Sequence, residues 1–316
     1  MSSERALVIA SHHAVYAHNV GRVSETETAF KEHNPRRIAM DIGMLTTPLS
    51  NYSLEQICEL MEDSCIDALE VPAHPGSPHI DAAKLGKKRA AEILMFLDEY
   101  MLSISSLTYY TCDLTDPKKY RKAQTAAKKV IDAAAMLEVP VVCMLTGFPA
   151  PGMSKLETIE KVLPGAFKPI LLHARKKGVK IALENWFQTC LQGIDTFDAL
   201  FEAIPDENFG LNYDPSHLVH QGCDHLAPIG RFRERIFHTH AKDTLIDYTE
   251  RAHRGIYAEG WWRYVIPGYG CINWGEYVGT LRRYGYDGVL SIEHEDASFD
   301  PIGGFFFGSN HLAGFC

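Results

Sequence analysis

Several sequence features are missing from this chain, and each absence argues against a class of protein. No apolar stretch reaches the roughly 18 residues that a transmembrane helix requires. The early apolar run Ala6–Ala10 is too short for the hydrophobic part of a signal peptide. No long basic run is present and the formal net charge is −9, which argues against nucleic-acid partners and anionic membrane surfaces.

Cysteine is scattered through the chain rather than grouped. The eight cysteines form no CxxC pair, and several fall inside predicted strands or helices, where cysteine packs as a small hydrophobic side chain. This usage is typical of a reduced, cytoplasmic protein and argues against a disulfide scaffold or a zinc finger. A chain of 316 residues with 46% hydrophobic and 22% charged residues can bury one large core.

Strand-like apolar runs alternate with amphipathic helices along most of the chain. The predicted strands are Arg37–Gly43, Ala68–Pro72, Ser103–Tyr109, Val139–Leu145, Lys180–Glu184, Phe209–Tyr213, Ile236–Thr239 and Gly288–Glu293. Eight strands that alternate with helices predict an α/β protein with a closed (β/α)8 TIM barrel. A doubly wound open sheet is the alternative, but no glycine-rich phosphate fingerprint follows any of these strands.

The same pattern predicts a single domain. The barrel would span residues 37–296, after an N-terminal extension of residues 1–36 and before a C-terminal tail of residues 297–316. The tail carries Phe305, Phe306 and Phe307, which indicates either an interface with another subunit or packing onto the chain's own helices. We expect a homodimer or a homotetramer.

The last four predicted strands each end in a residue that can bind a metal ion. These residues are Glu184, Asp214, His240 and Glu293. The C-terminal ends of barrel strands converge on one face, so the four side chains should point into one pocket. Three carboxylates and an imidazole in an apolar barrel mouth would be costly without a cation. The sequence therefore predicts one divalent ion, Mn²⁺ first, with Co²⁺, Mg²⁺, Fe²⁺ or Zn²⁺ as alternatives.

Further polar and aromatic residues surround these strand ends. A lone residue of this kind is more often structural, but their position makes them candidates for substrate contact. The candidates are His217, His238, Lys242 and Asp243 near the strand ends, Trp186 at the top of the fifth strand, and Trp262 and Arg263. The last two lie in a long insertion, Thr244–Asn273, which we expect to cover the pocket as a lid.

The segments ALEN, NYDPSHL, HTHAKD and GYDGVLSIEHED resemble the xylose-isomerase-like TIM barrel superfamily, within the sugar phosphate isomerase/epimerase group. The resemblance spans roughly Arg37–Asp296. It implies that the four strand-end residues bind one metal, that Glu184 and Glu293 act as acid and base, and that His217 contacts substrate. The ketose epimerases of this superfamily carry an arginine six residues after the metal-binding histidine, whereas this chain has Ile246.

The resemblance implies a metal-dependent isomerase or epimerase of a sugar or keto-sugar. Proton abstraction next to a carbonyl would give a metal-stabilised enediolate, with the two glutamates exchanging the proton. A lyase or deglycosidase that acts on 3-keto-glycosides is the alternative, and a non-catalytic sugar-binding barrel is a third possibility. DNA-repair endonucleases of this superfamily need additional early histidines, for which His74 and His79 are the candidates.

Overall fold

A closed barrel of parallel strands organises the computed structural model, which describes residues 40–316. The strands are β1 (Asp41–Leu45), β2 (Ala68–Pro72), β3 (Ser103–Tyr109), β4 (Val141–Met144), β5 (Lys180–Glu184), β6 (Phe209–Tyr213), β7 (Ile236–Ala241), β8 (Asp243–Ile246), β9 (Trp262–Val265) and β10 (Val289–Ile292). The barrel order is β1-β2-β3-β4-β5-β6-β7-β10, and β10 pairs with β1 to close it. The predicted TIM barrel is confirmed.

Four barrel strands, β2, β3, β5 and β6, have the predicted bounds. Strand β7 is longer than predicted because His240 and Ala241 still pair with Ser291 and Ile292 of β10. The predicted first strand began at Arg37, and its residues 37–39 lie outside the described part of the chain, as does the predicted extension.

Helices follow the strands around the barrel. They are α1 (Leu54–Met61), α2 (Lys87–Glu99), α3 (Tyr120–Met136), α4 (Lys155–Lys161), α5 (Leu163–Lys177), α6 (Ile194–Ala203), α7 (Ser216–Val219), α8 (Ala227–Arg231), α9 (Tyr248–Arg254), α10 (Trp274–Arg283) and α11 (Pro301–Leu312). Short 3₁₀ helices span Thr47–Leu49, Asp113–Thr115 and Arg233–Arg235. Within residues 40–316, no helix combines the length and the apolar character that crossing a bilayer requires.

Local sequence signals explain several helix ends. Ser53 caps α1 through a reciprocal pair of hydrogen bonds with Gln56, the capping box that satisfies two free backbone N–H groups. The region between α4 and α5 breaks at Val162 because Pro164 occupies the first turn of α5, a position where its missing N–H is tolerated.

The segment after Asp296 contains a helix, α11, for which no helix was predicted from the sequence. Asp300 caps it by accepting a hydrogen bond from the N–H of Gly303 at 2.9 Å. The helix packs against β1 and β10, and Phe305 is fully buried in the core while Phe307 remains 53% exposed. Phe305 thus packs onto the chain's own barrel, and the oligomeric state stays a prediction.

The insertion after β7 is an antiparallel hairpin rather than an irregular loop. Strands β8 and β9 pair from Asp243↔Val265 to Ile246↔Trp262, and α9 lies between them. Tyr264 of β9 contacts His217 at the barrel mouth. This contact puts the hairpin on the face where the strands end, as the lid prediction required.

Close strand packing around β6 gives a test of the fold. A Cβ added to Gly210 would overlap the backbone oxygen of Arg235 and the ring of Phe237. We predict that Gly210→Ala lowers the free energy of unfolding by at least about 2 kcal/mol, because the close-packed barrel must shift to admit it. The measurement is urea denaturation followed by circular dichroism.

The matched control is Gly279→Ala in the middle of α10, where an added Cβ meets no atom within 4 Å. This variant should gain about 0.5–1 kcal/mol, because alanine is a better helix former than glycine. Equal stability of the two variants would contradict the packing argument.

Candidate active site

The four predicted metal ligands meet at the mouth of the barrel. Glu184 is the last residue of β5, Asp214 follows β6, His240 lies near the end of β7, and Glu293 follows β10. One ligand atom from each lies within 4.8 Å of the others. The Nδ1 atom of His240 is 3.0 Å from Glu293 Oε2, 3.8 Å from Asp214 Oδ2 and 4.0 Å from Glu184 Oε1.

Two atoms of this cluster test whether the residues fit a cation. Asp214 Oδ2 and His240 Nδ1 are buried and make no hydrogen bond of good geometry, although each has a charged neighbour at 3.0–3.3 Å. Leaving a buried polar atom unsatisfied costs about 1–3 kcal/mol, so both atoms are suited to a ligand that accepts electron pairs. Carboxylate oxygens with one imidazole nitrogen are a donor set that hard and borderline divalent ions use. The residues present therefore form a candidate divalent-metal site.

Burial makes the ionisation of this cluster strongly unequal. For Glu184, burial and then the charge of Glu293 raise the pKa to about 8. Burial also raises the pKa of Glu293, but the charges of Lys242 and His240 outweigh it and lower the value to about 2. Without a cation, Glu184 is the carboxyl group of the cluster that holds a proton at neutral pH.

Lys242 places a buried ammonium group among these carboxylates. Its Nζ lies 2.7 Å from Glu293 Oε2, 3.3 Å from Asp214 Oδ2 and 3.2 Å from Glu295 Oε2. Burial lowers the pKa of Lys242, but the carboxylates, Glu293 first, raise it well above its ordinary value. Lys242 is therefore a protonated group inside the candidate site, and Glu295 is a contact that the sequence analysis missed.

His217 connects two parts of the site. Its Nε2 is 3.0 Å from Glu184 Oε1, and its Nδ1 is 2.6 Å from the hydroxyl of Tyr264 on β9. The same hydroxyl lies 3.3 Å from His220 Nε2. Tyr264 was not predicted, because a hairpin contact over 47 residues of chain leaves no local sequence signal. His220 was also missed, although it lies only three residues after His217.

Aromatic rings form one wall beside His217. Trp262 stacks on His220 with ring centroids 3.9 Å apart and planes 4° from parallel, and Phe187 packs edge-on against both. Trp186 packs against Phe148, with centroids 5.6 Å apart. Stacked, partly apolar surfaces of this kind suit the carbon face of a ring-shaped polyol.

A buried carboxylate, Glu70 of β2, lies behind His240. Its Oε2 is 3.1 Å from His240 Nε2, and the hydroxyls of Tyr110 and Ser291 each donate to Glu70 at 2.7 Å. Burial raises the pKa of Glu70, but His240 and His238 outweigh it and lower the value to about 2. A glutamate in the middle of the buried strand ALEVP was the available sequence signal for this residue.

Asp243 faces away from the candidate metal site and holds the loop before α10. Its carboxylate accepts hydrogen bonds from the backbone N–H groups of Gly268, Gly270 and Ile272, and from the indole of Trp274. Because these donors occupy both carboxylate oxygens, the geometry does not favour the substrate contact that was predicted for Asp243.

His238 and Arg263 are also engaged elsewhere. Both ring nitrogens of the buried His238 have partners, Asn212 Oδ1 at 3.0 Å and Ser105 Oγ at 3.1 Å, so a substrate contact is not expected there either. Arg263 is half exposed and forms an ion pair with Asp296 at 2.6 Å.

The early histidines do not form the additional metal ligands that a repair endonuclease requires. His79 is within hydrogen-bond distance of Thr46 Oγ1 through Nδ1 and of the Leu49 carbonyl through Nε2. His74 is exposed and contacts the neighbouring Pro75 carbonyl. Because both ring nitrogens of His79 have partners, the structure does not favour a DNA-repair endonuclease.

Metal binding should depend on pH. Glu184, with its pKa raised to about 8, and His240, with its pKa raised well above the ordinary value by Glu70 and Glu293 despite burial, must both lose protons to act as ligands. We predict that Mn²⁺ affinity increases as the pH rises from about 6 to 9 and that binding releases at least about one proton at pH 7.

Calorimetric titrations in buffers of different ionisation enthalpy measure this proton release. The surface variant Glu160→Gln serves as the control, because Glu160 is exposed on α4. Binding that is independent of pH, with no proton release, would contradict the assignment of these ligands.

Known proteins that are similar to this chain share its barrel fold. A family model described as xylose isomerase-like TIM barrel matches residues 59–311. The YfiH protein of Bacillus subtilis is 25% identical over 300 residues, which cover 84% of this chain and 96% of YfiH. The crystal structure of an IolI protein with a bound zinc atom superposes with a TM-score of 0.68 at 18% identity, over 88% of this chain and 99% of IolI.

An enzyme with an assigned activity is similar over a shorter region. Inosose dehydratase of Clostridium beijerinckii is 30% identical over 129 residues, which cover 39% of this chain and 42% of the dehydratase. The match thus spans less than half of either protein.

Proposed function

This chain belongs to the xylose isomerase-like TIM barrel family, and we propose that it is a metal-dependent dehydratase of an uncharged keto-sugar or keto-cyclitol. In this reaction a base removes the proton from the carbon next to the ketone. The electron pair left on that carbon forms a C=C bond and expels the hydroxyl group of the following carbon. An acid protonates the departing hydroxyl, so that water leaves and no oxidant is needed.

The observation that carries this proposal is the ammonium group of Lys242. It lies 2.7 Å from Glu293 and 3.3 Å from Asp214, within the cluster of candidate ligands. A protonated lysine at this position can donate a proton to a leaving hydroxyl, and it also lowers the basicity of Glu293. One base and one acid are the requirement of an elimination, whereas an epimerase needs a base on each face.

Glu184 is the base in this proposal. Its raised pKa, about 8, lies near neutral pH because of burial and the charge of Glu293, and a base is most effective when its pKa is near the working pH. The ionised form would be favoured once a cation binds.

His217 lies between the proposed base and the proposed acid. Its Nε2 is 3.0 Å from Glu184 Oε1 and 3.4 Å from Lys242 Nζ. Because burial lowers the pKa of His217 to about 4, its ring is neutral and can pass a proton from Glu184 to Lys242. This transfer would restore the starting protonation states after each turnover.

The metal would be held by Glu184, Asp214, His240 Nδ1 and Glu293, the atoms that meet within 4.8 Å. Mn²⁺ is our first choice for this set of oxygen and imidazole donors, with Co²⁺, Mg²⁺, Fe²⁺ or Zn²⁺ as alternatives. When bound, the cation supplies Lewis-acid polarisation of the ketone.

An isomerase or epimerase is the second candidate. It is favoured by the presence of two glutamates, Glu184 and Glu293, in one cluster, where they could exchange a proton on opposite faces of the substrate. A deglycosidase that acts on 3-keto-glycosides would use the same base and acid with a different leaving group. The similarity to inosose dehydratase supports the loss of water among these outcomes.

The substrate is proposed to be uncharged because the site is already rich in negative charge. Lys242 is shared among Glu293, Asp214 and Glu295, and in the described part of the chain Arg263 is paired with Asp296. Neither cation is free to bind a phosphate or a carboxylate. A further anion would be repelled by several kcal/mol.

We predict that metal-loaded protein discriminates against anionic substrates. The value of kcat/KM for a neutral keto-cyclitol or ketose should exceed that for its phosphorylated analogue by at least about 10²-fold. Parallel assays of each neutral and phosphorylated pair measure this ratio, and an equal or higher value for the phosphate would contradict the proposal.

The acid and the base can be separated by isotope exchange in D₂O. We predict that Lys242→Met lowers product formation by at least about 10²-fold but keeps deuterium exchange next to the ketone, because exchange needs only the base. Glu184→Gln should lose both activities at equal metal loading. Proton NMR reports exchange and product in one experiment.

The result also decides between the candidates. Unchanged product formation by Lys242→Met would exclude that residue as the acid. An isomer as product, with Glu184→Gln and Glu293→Gln each blocking exchange from one epimer, would support the second candidate.

A further inference from the structure

The two ring nitrogens of His240 face different groups. Nδ1 faces the candidate metal ligands, where Glu293 Oε2 is 3.0 Å away but no hydrogen bond of good geometry forms. Nε2 faces Glu70 Oε2 at 3.1 Å and Oε1 at 3.3 Å. A neutral imidazole carries one hydrogen, and the group that accepts it decides which nitrogen keeps a free electron pair.

The surrounding hydrogen bonds hold Glu70 as an acceptor. Tyr110 donates to Oε1 and Ser291 donates to Oε2, each at 2.7 Å. The amide nitrogen of Asn212 is 3.0 Å from His240 Nε2 but also 3.0 Å from the Tyr110 hydroxyl, to which it can donate. An ionised Glu70 therefore takes the Nε2 hydrogen and leaves Nδ1 free.

We propose that Glu70 is a positioning residue that fixes His240 with its hydrogen on Nε2, so that Nδ1 is presented to a divalent cation. This role rests on the metal-dependent function proposed above. Glu70 is not a ligand itself, because it lies on the opposite edge of the ring from the Asp214 and Glu293 oxygens. A carboxylate behind a ligating histidine orients the ring and makes it a stronger donor.

A second metal site that includes Glu70 is the competing interpretation. Glu70, Cys143 and His238 also bring one ligand atom each within 4.8 Å of one another. However, both nitrogens of His238 are engaged by Asn212 and Ser105, and both oxygens of Glu70 accept hydrogen bonds. These partners favour a hydrogen-bonded support over a second ion.

The test is Mn²⁺ binding by Glu70→Gln, with free Mn²⁺ measured by electron paramagnetic resonance. Glutamine keeps the shape of the side chain and one oxygen acceptor but removes the charge. We expect the affinity at pH 9 to fall by about 10–100-fold. Glu70→Asp, which keeps the carboxylate, should recover part of the affinity that Glu70→Gln loses, whereas a role in packing alone predicts that the shorter side chain binds Mn²⁺ no better.

Glu160→Gln is the control, since it makes the same change of a carboxylate to an amide at an exposed position of α4 and is not among the contacts of His240. It should change the affinity by less than about threefold. If Glu70→Gln does not fold, Ser291→Ala and Tyr110→Phe each remove one donor to Glu70, and each should weaken binding by several-fold.

The outcomes separate the two proposals. Folded Glu70→Gln with unchanged Mn²⁺ affinity overturns the role of Glu70 alone. In the fallback series, unchanged binding by both variants does the same. Failure of the wild-type chain to bind Mn²⁺ overturns the metal-dependent function and this role together.

Discussion

Like charges buried at one end of the barrel are the constraint on which the rest of the site depends. Glu184, Asp214 and Glu293 come within 4.8 Å of one another and of His240, in a region from which water is largely excluded. Lys242 and a protonated His240 offset part of this negative charge, and Glu184 responds by holding a proton. A divalent ion would replace the protons on Glu184 and His240 and would use Asp214 Oδ2 and His240 Nδ1, which make no hydrogen bond of good geometry, as ligands.

The residues around this cluster support it from three directions. Glu70 lies behind His240 in the barrel interior. Tyr264, on the hairpin above the barrel mouth, contacts His217. Asp243 anchors the loop that follows the hairpin. The lid, the ligands and the core are thus linked through hydrogen bonds, so the site is a property of the whole barrel mouth rather than of four residues.

The barrel and its candidate metal ligands could be predicted from the order of apolar and polar residues along the sequence. Apolar runs that end in Glu, Asp or His located the strands and their convergence, because parallel barrel strands all end on one face. It was less informative about side-chain direction beyond a strand end, and Asp243 turned toward loop amides. The contact of Tyr264 with His217 could not be predicted, because it requires a hairpin that joins distant parts of the chain. The phenylalanines of α11 left two interpretations open, because an apolar face looks the same in the sequence whether it packs on the chain's own barrel or on another subunit.

The most direct measurement is anomalous diffraction from crystals of the full chain grown with Mn²⁺. We predict one ion bound by Glu184, Asp214, His240 Nδ1 and Glu293 at distances of about 2.0–2.4 Å. Saturating Mn²⁺ with no anomalous peak at this position, or an ion held by Glu70, Cys143 and His238 instead, would contradict this prediction.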